Sequence, residues 1–111
     1  MKLENIGEVI ATRRLYVQDV EDSQTEITVQ IGRPQPFPDP PDDYFVPYQI
    51  LGIGTDDVRY ATGVDAIQSL QLVMQVIGDD LAARGRRSGK TIVWEAGQDE
   101  HDLGFPVYHS T

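Results

Sequence analysis

Gly63-Val64-Asp65-Ala66-Ile67-Gln68-Ser69-Leu70-Gln71-Leu72-Val73-Met74-Gln75-Val76-Ile77-Gly78-Asp79-Asp80-Leu81 is the stretch on which the fold turns. Asp65 stands where a helix N-cap accepts a first-turn amide, and Gln68 three residues on completes a capping box. Ile67, Leu70, Met74, Ile77 and Leu81 then recur at three- and four-residue steps, with Ala66 and Val73 beside them, which is the apolar stripe of an amphipathic helix. The spacing predicts one long helix from Asp65 to about Arg84, roughly 28 Å at 1.5 Å per residue, stopped by Gly85 in the left-handed conformation.

The same stretch has a second property. From Ala66 through Gly78 no residue is charged, in a chain that is 24% charged. Independent sampling produces such a run about 3% of the time. The apolar stripe explains half of it; on the other side stand Gln68, Gln71 and Gln75 at helical spacing, with Leu72 and Val76 one turn apart. A helix back facing water ordinarily carries lysine and glutamate, so Gln68, Gln71, Leu72, Gln75 and Val76 are expected to be covered. The cover is either the chain's own tail, through Leu103, Phe105 and Tyr108, or a second chain in a homo-oligomer.

Strands are expected upstream of the helix. Ile27, Val29 and Ile31 alternate with Glu26, Thr28 and Gln30, the period of a strand with one dry and one wet face. Val9 to Val17 is rich in β-branched and aromatic residues, and Asp19-Val20-Glu21-Asp22-Ser23 suits a hairpin link between the two strands. Gly32 to Asp43 holds five of the seven prolines and reads as an extended loop, because proline donates nothing to a ladder. Tyr48 and Ile50 start a third strand after Pro47, with Ile53 a candidate member. Val58 to Thr62 makes a fourth, and Thr91 to Glu95, after the helix, a fifth. The expected fold is α+β: an antiparallel β-meander of about four to five strands with one long helix packed across one face, a single domain over residues 1–111.

Composition narrows function by exclusion. Eighteen acidic residues against nine basic ones give a net charge of −9, a field that repels phosphate backbones, so nucleic acid is not an expected partner. Solubility is the ordinary role of such a charge, and attraction of a basic protein the sharper one. No apolar run approaches a membrane span, and Met1-Lys2-Leu3-Glu4-Asn5 lacks the layout of a signal peptide. No membrane association and a cytoplasmic location are therefore expected. The absence of cysteine removes disulfides, a thiol nucleophile and thiolate metal sites.

The chemical motifs fall short one by one. Gly85-Arg86-Arg87-Ser88-Gly89-Lys90-Thr91 ends like a phosphate loop, but its first glycine is one residue too close, and it follows a helix into a strand, the reverse of the order the motif needs. Arg84, Arg86, Arg87 and Lys90 are four of nine basic residues, favoured beside a helix C-terminus by its dipole. They otherwise form a small anion-attracting patch. Gly52-Ile53-Gly54 lacks the third glycine of a dinucleotide loop and suits a turn. Asp99-Glu100-His101-Asp102 reads as a solvated charge run, and the second histidine, His109, lies in the same tail. No metal and no cofactor are expected. The serines lack a nucleophile-elbow context, which leaves no expected catalytic residue.

Ile10-Ala11-Thr12-Arg13, Ile31-Gly32 with Pro34 and Pro36, Pro47-Tyr48-Gln49-Ile50 with Gly52 and Gly54, Gly63-Val64-Asp65-Ala66-Ile67-Gln68 with Leu70 and Leu72, and Asp102-Leu103-Gly104-Phe105-Pro106 together resemble an uncharacterised family of short bacterial proteins. The resemblance implies a bacterial stand-alone domain and lends no activity and no catalytic residue. The expected function is that of a noncatalytic interaction or assembly protein, of immunity or accessory type, whose partner is a basic protein or a second copy. The alternative is a small-ligand-binding domain or enzyme with a pocket between helix and sheet, lined by Arg13, Tyr48, Gln49 and Trp94.

Overall fold

The computed structural model describes residues 1–18, 25–38, 42–99 and 101–106. Its elements are β1 (Val9–Gln18), β2 (Thr25–Gly32), β3 (Gln35–Pro36), β4 (Tyr44–Leu51), β5 (Arg59–Gly63), α1 (Ala66–Ser88) and β6 (Thr91–Val93). β1, β2, β4 and β5 pair in sequence as an antiparallel meander, and β6 returns after the helix to the far side of β1. β3 pairs the first residues of β4, on the side where β2 pairs the last ones. The helix lies across one face of this six-stranded sheet, which makes the domain α+β. The hairpin link at Asp19 to Ser23 lies outside the described residues.

The register aligns the apolar positions on that face. Leu15 sits opposite Ile27, Val29 opposite Ile50, Ile31 opposite Tyr48 and Val17 opposite Ile92. With Val73, Ile77 and Leu81 of the helix they form one buried core, each large side chain contributing about 1.5–3 kcal/mol of transfer free energy. A smaller aromatic group, Phe37, Phe45 and Tyr60, has ring centroids 5.2–6.3 Å apart. Phe45 neighbours Val46 on β4, so it points to the opposite face of the sheet.

Several expected boundaries move. The third strand begins at Tyr44, ahead of Pro47. A proline is admitted there because Gly32 lies beside it: a Cβ on Gly32 would stand 2.6 Å from Pro47 Cγ. The proline-rich loop contributes the two-residue β3 to the sheet edge. β5 is shifted to Arg59–Gly63, and β6 ends at Val93 instead of Glu95.

The helix also differs from expectation at its end and in its facing. It passes through Gly85 and closes at Gly89, with φ 67°. There the Gly89 N–H donates to Arg86 and the Lys90 N–H to Gly85, a Schellman closure. Its buried line is Ser69, Val73, Ile77, Asp80, Leu81 and Arg84. Ile67 is 71% exposed and Met74 38%, so the expected stripe is turned partly outward. The cause lies at the first turns: Gly63 and Ser69 approach so closely that a Cβ on the glycine would meet the Ser69 amide at 2.6 Å. A small residue against a glycine rolls the helix toward β5 and swings the larger side chains away.

Candidate functional site

Burying Asp80 and Arg84 would cost several kcal/mol per ion if they were unpaired; here they pair with each other and with the sheet. Arg84 Nε donates to Asp80 Oδ1 at 3.0 Å, while Tyr48 Oη and Arg59 Nη1 donate to Asp80 Oδ2 at 2.8 and 3.2 Å. Arg84 Nη1 donates to the carbonyls of Ile53 and Thr55 at 2.7 and 2.6 Å. Gly54 between them has φ 74°, and a Cβ there would stand 3.2 Å from that same nitrogen. The network thus fastens the β4–β5 loop beneath the helix. Burial first, and then the Asp80 carboxylate, push the Tyr48 hydroxyl far above the ordinary range of a phenol. Arg59 is held charged above its usual value, chiefly by the hydrogen bond to Asp57. Asp57 in turn is lowered to about 2 by Thr55 and Arg59. No buried side-chain nitrogen or oxygen among the described residues lacks a partner. With Tyr48, Asp80 and Arg84 nearly sealed from solvent, the cluster is a fixed clamp rather than a set of groups open to substrate.

The four expected pocket residues separate into three places. Arg13 and Trp94 meet: the guanidinium lies 4.1 Å from the Trp94 ring centroid and 4.8 Å from that of Phe105, and Nη1 donates to Leu103 O at 3.1 Å. This arginine spends its charge on two aromatic faces and a carbonyl, and so clasps residues 103–105 onto β1. Tyr48 belongs to the clamp. Gln49, its neighbour on β4, faces away from the helix and donates to Asp56 O at 2.6 Å. Asp80 and Arg59 were not singled out from sequence. The available signal was the continuation of Val73 and Ile77 by Asp80 and Arg84 at helical spacing, which places an ion pair on the buried line.

Beside the clasp the sheet is open. β1 pairs β2 from Val9 to Val17 but pairs β6 only from Tyr16 to Gln18. Among the described residues no backbone hydrogen bond joins the other edge of Val9 to Leu15 to a further segment. Val9 and Ile10 there are 38% and 48% exposed. A depression of about 710 Å³, lined by Thr12, Arg14, Tyr16, Trp94, Glu95 and Ala96 among others, opens where β6 peels away. A smaller cavity of about 120 Å³, among Ala11, Val29, Ile31, Met74 and Phe105, opens on the helix side.

The interface candidates stand on the helix back. In the single chain Gln68, Gln71 and Val76 are exposed, and Leu72 and Gln75 half-buried. Leu103 and Phe105 pack against the core. The tail crosses α1 at Gly78, where a Cβ would meet Phe105 Cβ at 3.2 Å. Tyr108 and His109 lie outside the described residues. Asp99 and Asp102 accept the backbone amides of His101, Gln98 and Gly104. The Gln98 and Gly104 amides hold the Asp102 carboxyl below its usual range, and the three bonds make these residues a set of local turns. Finally, a groove of about 440 Å³ runs between the helix end, β6 and the tail, with Arg86, Lys90 and His101 around Leu81, Ile92 and Leu103. No described helix is long and apolar enough to cross a membrane.

A family model described as a domain of unknown function (DUF6968) matches residues 11–107, and the chain belongs to that family. No curated protein and no solved structure matches it.

Proposed function

We propose that this member of the DUF6968 family is a noncatalytic interaction domain of the bacterial cytoplasm, of immunity or accessory type, that takes up an extended segment of a basic protein along β1. The observation that carries this reading is the edge of β1, unpaired over Val9 to Leu15 among the described residues and flanked by a depression on each side. An added strand recovers the free main-chain groups of such an edge, and its alternate side chains reach opposite faces of the sheet. One set meets the apolar cavity at Ala11 and Met74, the other the depression at Thr12 and Glu95. The net charge of −9 draws a basic partner from a distance and turns away acidic ones.

A photo-crosslinking residue at Thr12, in the full chain inside cells, tests this. The expected product is an adduct with a protein that contributes an alternating apolar and basic segment. It should disappear when Ile10→Lys places a charge on the edge, a device that blocks strand addition. Adducts unaffected by that substitution would refute the edge. Turnover of an ester, phosphoester, peptide or glycoside substrate that one arginine or carboxylate substitution abolishes would refute the noncatalytic reading.

The groove at the helix end favours a second reading. Its cationic rim and apolar floor suit a small organic anion with an apolar body. Chemical-shift changes confined to Arg86, Lys90 and Leu103 on adding an aromatic carboxylate would favour it over the protein partner.

A further inference from the structure

We propose that two copies of this chain associate through the uncharged back of α1, related by a two-fold axis that sets the helices antiparallel. Four of the seven large hydrophobic side chains exposed among the described residues lie on this helix or at its entry: Val64 at 65%, Ile67 at 71%, Met74 at 38% and Val76 at 36%. Gln68, Gln71 and Gln75 form a crest between two apolar shoulders, Ile67 with Met74 on one side and Leu72 with Val76 on the other. The described tail reaches the helix at Gly78 and marks the C-terminal limit of this face.

Charge selects the occupant. A basic protein gains nothing from a face without charge, because the attraction of a −9 chain acts through its carboxylates. A second copy meets the opposite situation: repulsion opposes contact through the acidic surface, whereas the span from Ala66 to Gly78 brings no charged residue out of water. Gln71 and Gln75 each carry both donor and acceptor, and Gln68, whose Oε1 accepts from the Val64 amide, keeps its two amide donors, so two identical crests can satisfy one another across a two-fold. The uncharged span is about 20 Å long at 1.5 Å per residue. A face of that length belongs to the small end of interfaces, and a dissociation constant in the micromolar range is expected. This face and the cavity beside β1 meet at one residue, Met74, and the association is tested at Gln71, which lines neither depression of the β1 edge.

Sedimentation equilibrium of the full chain, at rising concentration and in low and high salt, provides the test. The wild-type mass should climb toward twice that of the chain, with tighter association in high salt as the repulsion is screened. Gln71→Glu and Gln71→Lys alter an exposed residue, so each should melt as the wild type does yet remain monomeric at tenfold higher concentration. Mixing the two variants should restore the doubled mass, because the two-fold sets Glu against Lys. A wild type that stays monomeric at all concentrations would overturn the proposal. So would variants that associate unchanged, or variants that melt lower without any change in mass, which would mean that the chain covers this face itself.

Discussion

Asp80 joins three elements through one carboxylate, receiving Tyr48 from β4, Arg59 from β5 and Arg84 from the helix. Asp80→Ala would strand the Arg84 guanidinium, 4% exposed, without its counter-ion. Chemical denaturation should report a loss of about 3–5 kcal/mol. A loss below about 1 kcal/mol, the scale of a surface ion pair, would mean that water reaches Arg84. Little of this was legible in the sequence. Tyr48 reads as pocket lining and Arg84 as a cation at a helix end, since each residue's neighbourhood in the chain is all that sequence supplies. The partner that redefines both stands 32 residues from the tyrosine. Arg13 and Trp94 read as pocket lining together with Tyr48 and Gln49; in the fold the two meet each other and hold residues 103–105.

At the scale of elements, the helix start was readable and its facing was not. Asp65 Oδ1 accepts the Gln68 amide at 2.7 Å, and Gln68 Oε1 returns to the Val64 amide at 2.8 Å, so the box closes one residue earlier than the usual reciprocal form. Asp65→Ala should therefore lower stability by about 1 kcal/mol, measured as a shift of the denaturation midpoint at constant slope. An unchanged midpoint would mean that Gln68 alone holds the first turn. Cap chemistry is local and survives in sequence; rotation of the helix about its axis is decided by what the helix meets. Here a glycine and a serine meet first, and periodicity weighted by apolar size points to a neighbouring face. Pro47 was misread in the same manner, its tolerance depending on Gly32 in another strand.

For the molecule as a whole, the buried clamp makes stability depend on alkaline pH. The folded Tyr48 phenol is raised above the ordinary 10.0, so the folded state keeps a proton that the unfolded chain releases. Stability is intact below about pH 10 and falls as the pH climbs from there toward the folded value. Thermal midpoints from about pH 8 to about pH 12 should trace that decline, and Tyr48→Phe should remove its share of the slope. An unaltered slope in Tyr48→Phe would place the alkaline loss in other groups. The two-layer α+β architecture was legible because alternation and helical period are properties of contiguous residues. The open edge was not, because it depends on where β6 stops. The clasp of Arg13 by Trp94, Leu103 and Phe105 bears on how the protein is made. Synthesis delivers β1 to the ribosome exit long before residues 94–105 follow, at about 5–20 residues per second. A nascent chain therefore spends seconds with Arg13 unclasped after β1 itself has emerged.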